Sequence, residues 1–284
     1  MEPQSIRIPG ADGLTLHGLE WSTEGVPLLL LHGFGNEAHF WDDLAPALAP
    51  HYRTLALDLR GHGDSDHDPE GRYDHLSMAR DLEAVTEALG LERVVLVGHS
   101  LGGRVALRFV GRNADRMAGL ILVDSGPDLD ARGTTRIQME TGRRSPTFES
   151  IGEYEALLVQ LYPAGRPETL ARLARTGVRQ REDGRYEQKL DTGFARRRGE
   201  VSEEQLRTWA EAESKALWDT LLRAPCPTLV VRGAASDVLS AETADRMAET
   251  ASQGSRVEVE RAGHSVMIDN PDRLRQVVTD FVLG

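Results

Sequence analysis

The segment VVLVGHSLGGRVAL, residues 94–107, runs four apolar residues into Gly-His-Ser-Leu-Gly-Gly and then into a mostly apolar, helix-compatible stretch. A serine that only capped a helix would not need glycine on both sides. Gly98-His99-Ser100-Leu101-Gly102 fits a nucleophile elbow, in which a sharp strand-to-helix turn lifts the central side chain clear of a sheet. The turn forces strained backbone angles on the serine, and the residues two positions away must be small to avoid collision. The helix that follows points its N-terminus toward the serine oxygen, where it favours developing negative charge. Ser100 is the candidate nucleophile.

The surrounding pattern supplies the context such a turn needs. Strand-like segments are expected at 14–21, 26–31, 52–59, 93–97 and 118–123, with helical spacing at 40–49, 75–89 and 101–112. Pro46 is a blemish in the first of those helices, and Gly90 stops the second. Short, continuous apolar runs separated by helices predict a parallel sheet covered on both faces. The rhythm breaks near Gly126-Pro127. Residues 127–215 hold no apolar run resembling a core strand and show helical patterns instead, as at 153–162 and 203–213. Strands then resume at 226–233 and 256–260, with helices at 241–250 and 271–282. The reading is a sheet domain, 1–126 and 216–284, interrupted by a helical cap or lid at 127–215.

Composition narrows the function. The formal net charge of −12 is a poor match for a nucleic-acid binder. Cys226 is the only cysteine, which leaves no internal disulfide and makes a cysteine-based metal site a poor expectation. The N-terminal residues lack a basic region followed by an apolar run, and VPLLLLHG is too short to span a bilayer. No cluster at metal-ligand spacing and no dinucleotide-binding glycine pattern on a strand–helix turn is seen, so no metal and no cofactor are expected. The expectation is a cytoplasmic protein, monomer or homodimer, whose partner is a small-molecule substrate rather than nucleic acid or membrane.

The motifs LLLHGFG (29–35), DLRGHGDSD (58–66), VGHSLGG (97–103), VRGAASDVLS (231–240) and AGHSVMIDNP (262–271) occur in an order that resembles the α/β-hydrolase fold superfamily, specifically its small, cap-bearing serine hydrolases of the esterase or lactonase kind. The resemblance covers roughly 14–126 and 216–282 and is weaker over the cap. It implies a mostly parallel sheet flanked by helices, with a helical cap inserted after the sixth strand. It also implies a triad. A serine hydroxyl needs a base, and His264, in a Gly-His turn before the last helix, sits where this family places it. The base needs an orienting acid. Asp237, in the loop after strand 228–232, is the expected acid, and Asp124, closing strand 118–123, is the alternative. The loop after Asp237 reads Val-Leu-Ser where relatives often carry a proline. The backbone amides of Leu101 and Phe34 are the expected oxyanion donors.

Phe34, His39, Phe40 and Trp41 are candidate walls of the substrate pocket, with ordinary core packing as the competing reading for Phe40 and Trp41. His99 adjoins the nucleophile, its side chain expected to point away from that of Ser100, and is also placed at the pocket. The cap offers Met139, Phe148, Tyr154, Leu157, Leu158, Leu161, Tyr162, Phe194 and Trp209. Its arginines Arg136, Arg143, Arg144, Arg196, Arg197 and Arg198 are expected to face solvent for the most part, although one turned inward would clamp a substrate carboxylate. Serine at the elbow separates this chain from similar dehalogenases and epoxide hydrolases, which attack with aspartate. Gly-His-Ser-Leu-Gly tilts the reading toward esters, lactones or thioesters. A C–C bond or amide hydrolase with the same triad, and a non-catalytic receptor, are the alternatives.

Overall fold

The computed structural model describes residues 2–133, 135–137, 147–194 and 202–284. Eight strands form the main sheet: β1 (Gln4–Pro9), β2 (Thr15–Glu20), β3 (Val26–Leu31), β4 (Tyr52–Leu57), β5 (Val94–His99), β6 (Met117–Val123), β10 (Thr228–Gly233) and β11 (Gly254–Val259). Their order is β1-β2-β4-β3-β5-β6-β10-β11. The β1–β2 and β2–β4 pairs are antiparallel, and every pair from β4 to β11 is parallel.

The continuous apolar runs follow from burial on both faces. Side chains alternate across a strand, so Leu28, Leu30, Val95, Val97, Ile121 and Val123 join one core cluster. Their neighbours Leu29, Leu31, Val94, Leu96, Leu120 and Leu122 join the other. The first cluster is closed by Trp41, Leu44 and the helix Pro271–Leu283. The second is closed by the helices His75–Ala88, Leu101–Val110 and Ala241–Thr250. The parallel strands all end on one side, and the loops there carry Phe34, Ser100, Asp124, Asp237 and His264. That rim is where open α/β sheets bind ligands.

The expected helix over 40–49 is replaced by a 3-10 turn, Ala38–Trp41, and a single helical turn, Ala45–Leu48, with Pro46 in its first turn. The expected helical cap carries short strands beside its helices. The segment between β6 and β10 contains the helices Ile151–Leu161 and Pro167–Thr176 and a small antiparallel sheet of β7 (Thr147–Phe148), β8 (Val178–Gln180) and β9 (Tyr186–Gln188), ordered β7-β9-β8. The expected boundary between 215 and 216 falls inside a helix, Glu203–Arg223, whose Leu217 and Leu221 are buried in the second core cluster. The segment is anchored to the sheet domain by polar contacts. Thr176 donates to Glu37 at 2.7 Å, Arg172 to Asp43 at 3.0 Å, and Gln188 to the Gly35 carbonyl at 2.9 Å. Among the described residues no helix is long and apolar enough to cross a membrane.

The turns that bear the site are held by buried charge. Asp58, at the end of β4, accepts the amides of Ala38 (2.7 Å) and Asp64 (2.8 Å) and pairs with His17 at 2.7 Å. Arg60, fully buried, forms a fork with Asp81 at 2.6 and 2.7 Å. Beside them His62 packs its ring at 5.0 Å from His32 and 5.0 Å from Phe194. Burial, and then the neighbouring His32, push the His62 pKa from the usual 6.5 down to about 3. Between those two values the unfolded chain takes up a proton that the folded chain refuses, so stability is lost as pH falls below the unfolded pKa. For His62 alone the loss at about pH 5 is about 2 kcal/mol. Urea unfolding of wild type at about pH 7.5 and pH 5 should show this drop, and His62→Phe should show a smaller one. Parallel drops in the two proteins would contradict the assignment.

Candidate active site

Ser100 sits between β5 and the helix Leu101–Val110 with φ 50° and ψ −115°, in a region that non-glycine residues rarely occupy. The flanking glycines have a steric cause. A Cβ at Gly98 would lie 2.5 Å from the Gly102 carbonyl oxygen, and one at Gly102 would lie 2.3 Å from the Leu31 carbonyl oxygen. The turn is pinned by Ser100 N–H to Val123 O (3.2 Å), Gly102 N–H to His32 O (3.1 Å) and Ser125 Oγ to Ser100 O (2.6 Å).

His264 Nε2 lies 3.0 Å from Ser100 Oγ. Its Nδ1 lies 2.8 Å from Asp124 Oδ2. A carboxylate can only accept, so Nδ1 carries the proton and Nε2 is left to accept from the serine. Asp124 is fully buried and takes two further donors, the Gly233 amide at 3.0 Å and the Ser236 hydroxyl at 2.6 Å. These fix the carboxylate and, through it, the imidazole.

The expected acid, Asp237, is therefore not the residue on His264. Its carboxylate is engaged by Arg136 in a fork, Nε–Oδ2 2.7 Å and Nη2–Oδ1 2.8 Å, and that guanidinium holds its pKa below the usual carboxylate value. The last residue of β10, Gly233, and the loop after it, through Ser236, contribute donors to Asp124. Register explains why the alternative position reaches. His99 and Val123 are paired across β5 and β6, so the next residues, Ser100 and Asp124, leave neighbouring strand ends side by side, both with positive φ.

Phe34 lines the cavity with its ring edge-on to Phe194 at 5.1 Å. The amides of Phe34 and Leu101 donate to no protein acceptor among the described residues. His99 also lines the cavity. Its Nε2 donates to the His264 carbonyl at 2.9 Å, which leaves Nδ1 unprotonated, buried and without a partner among the described residues. Burial, and then the neighbouring His264, hold its pKa well below the usual histidine value. Gly33 packs against this ring, since a Cβ there would lie 2.7 Å from Nδ1. His99 thus pins the backbone of His264 while remaining neutral.

Phe40, Trp41 and Trp209 are corrected. Phe40 and Trp41 are buried in the first core cluster, Phe40 reaching the cavity only through Tyr162, 5.9 Å away. Trp209 stands on the outer part of its helix, 55% exposed, away from the cavity. Phe148, Tyr154 and Leu158 are core residues as well. The cavity, of about 480 Å³, takes Leu161, Tyr162 and Arg136 from the insertion. Met139, Arg143, Arg144, Arg196, Arg197 and Arg198 lie outside the described residues. Sequence reasoning missed Ser236, Asn36 and Arg261. Ser236 carries the only available signal, a hydroxyl three residues beyond a strand end.

One group of metal-capable side chains meets among the described residues: His17, Asp58 and Asp64, with ligand atoms within 4.8 Å of one another. Each of the three already has a hydrogen-bond or ion-pair partner. His17 and two backbone amides hold Asp58, and Lys189 pairs with Asp64 at 2.7 Å. This network fixes loops.

Comparison with known proteins identifies the fold family. A family model described as the alpha/beta hydrolase fold matches residues 26–271. An esterase from Mycobacterium tuberculosis is 27% identical over 277 residues, covering 93% of this chain and 85% of that protein. The 2-(acetamidomethylene)succinate hydrolase of Mesorhizobium japonicum is 26% identical over 258 residues, covering 91% and 88%. The crystal structure of an E-2-(acetamidomethylene)succinate hydrolase superposes with a TM-score of 0.85 at 24% identity, covering 99% of this chain and 100% of that one, a likeness of fold.

The elbow makes a direct prediction. Gly102→Ala places a methyl group against the backbone of β3, which cannot yield as a side chain would. Urea unfolding should show a loss of about 3 kcal/mol or more. A loss no larger than that of an exposed helix substitution, under about 1 kcal/mol, would contradict the close approach.

Proposed function

The chain belongs to the α/β-hydrolase fold family, and from that premise we propose that it is a serine hydrolase acting on a small carboxylic ester, lactone or thioester through an acyl-enzyme. The observation that carries this is the unbroken relay Ser100–His264–Asp124, at 3.0 and 2.8 Å, on a strained elbow that opens into a cavity. Ser100 Oγ attacks the carbonyl carbon while its proton passes to His264 Nε2. Asp124, accepting from Nδ1, stabilises the imidazolium without taking the proton. The carbonyl oxygen becomes an oxyanion, received by the amides of Phe34 and Leu101. His264 then returns the proton to the leaving oxygen or sulfur as the C–O or C–S bond breaks. Water repeats the sequence on the acyl-serine, releasing the acid and restoring the hydroxyl.

A second reading, hydrolysis of an amide, draws support from the relative whose named substrate carries an acetamido group. It needs the same residues and differs only in the leaving nitrogen, which His264 must protonate.

The test is hydrolysis of a short-to-long p-nitrophenyl ester series, with the matching anilides in parallel, by wild type and Ser100→Ala. Ester turnover should fall roughly a thousandfold or more in the variant. Comparable rates for anilide and ester in wild type would favour the amide reading. Equal rates in wild type and variant would overturn both.

A further inference from the structure

The mouth of the cavity carries charged groups that the proposed chemistry does not use. Arg136 and Asp237 line it and hold each other in a two-bonded fork, with side chains 42% and 36% exposed. That exposure leaves the pair within reach of a ligand and weakens it by solvent screening. Arg261 lines the same mouth and has neither a hydrogen bond nor an ion pair among the described residues. Its backbone has φ 55°, a left-handed conformation that non-glycine residues seldom keep away from functional or tightly constrained turns. Arg132, whose guanidinium also feels Asp237, pairs with Asp130 close by. The other carboxylate at the cavity, Asp269, is turned to the Gly263 amide at 2.8 Å. So two arginines, Arg136 and Arg261, line the cavity that holds Ser100, beside Asp237 and Asp269.

We propose that this rim is an anion site: Arg261 and Arg136 receive a carboxylate carried by the substrate at the end remote from the scissile carbonyl, and Asp237 occupies Arg136 until that carboxylate arrives. Asp237 demonstrates the geometry, because it is a carboxylate already seated on the Arg136 fork. A planar guanidinium accepts a carboxylate through two parallel hydrogen bonds. An arriving substrate exchanges one such pair for another at Arg136 and gains a new one at Arg261. A neutral substrate of the same length gains neither. The substrate class is therefore a half-ester, or half-amide, of a dicarboxylic acid. This inference rests on the reading of Ser100 as nucleophile, and its test separates the two.

The phenyl hydrogen esters of succinate, glutarate and adipate are compared with their methyl esters, which match them in length but lack the charge. The readout is phenol release, expressed as the ratio of kcat/KM for acid over methyl ester. Wild type should favour the acid by about tenfold or more at one of the three lengths, as expected for a charge-assisted hydrogen-bond pair. Arg261→Gln and Arg136→Gln should each lower that ratio, mainly through KM, and Asp237→Asn should raise it by removing the competitor. Titration of free glutarate and adipate into Ser100→Ala gives a readout that needs no turnover. Binding that weakens in Ser100→Ala/Arg261→Gln supports the site even if ester hydrolysis does not depend on Ser100, the result that would sink the proposed function. Ser100-dependent hydrolysis with a wild-type ratio of one or below, or a ratio that neither arginine variant moves, would overturn the anion site alone.

Discussion

The structure depends on one close approach. At Ser100 the chain turns from β5 into a helix within a space that leaves no room for a Cβ at Gly98 or Gly102. The helix therefore starts hard against the end of β3, its second amide on the His32 carbonyl. The serine is lifted toward solvent, its neighbour His99 is driven inward, and the Leu101 amide is left without a protein acceptor among the described residues. The strain at Ser100 is borne by the parallel strands on either side and by the two apolar cores that the alternation of their side chains creates. A site that must hold a nucleophile, a base and an acid in fixed relation is best built on elements this rigid.

The fold was legible because its determinants are local. Continuous apolar runs bounded by glycine give β3, β5, β6 and β10, and helical spacing gives the helices His75–Ala88, Leu101–Val110 and Pro271–Leu283. What escaped lacks such a signature. β1 is an edge strand whose sequence, QSIRIP, is largely exposed. The strands β7, β8 and β9 have two or three residues each, too few to show a period. The helix over 40–49 failed because an apolar 40–41 followed by Pro46 permits two short turns as readily as one long helix.

The same division runs through the site. Ser100 and His264 stand in motifs whose spacing carries chemistry, and the structure brings them together. The acid was not legible. Asp124 and Asp237 both follow apolar strands, and choosing between them requires the β5–β6 register and the knowledge that Arg136, a hundred positions from Asp237, takes up the latter. Phe40 and Trp41 illustrate a further limit: an aromatic side chain suits a pocket wall and a core equally well, and only packing decides. The outcome places the insertion's chemistry at the rim, through Arg136, and the sheet domain's chemistry at the base, through Asp124.

The central claim is that Asp124, through His264, makes Ser100 nucleophilic, with Asp237 outside that relay. The most direct measurement is the rate at which a fluorophosphonate labels the intact protein, followed by mass, in wild type, Asp124→Asn and Asp237→Asn. It requires no knowledge of the natural substrate. The account requires a single adduct on Ser100, formed slower by about a hundredfold or more in Asp124→Asn and within about threefold of wild type in Asp237→Asn. Slow labelling of Asp237→Asn with rapid labelling of Asp124→Asn would contradict it.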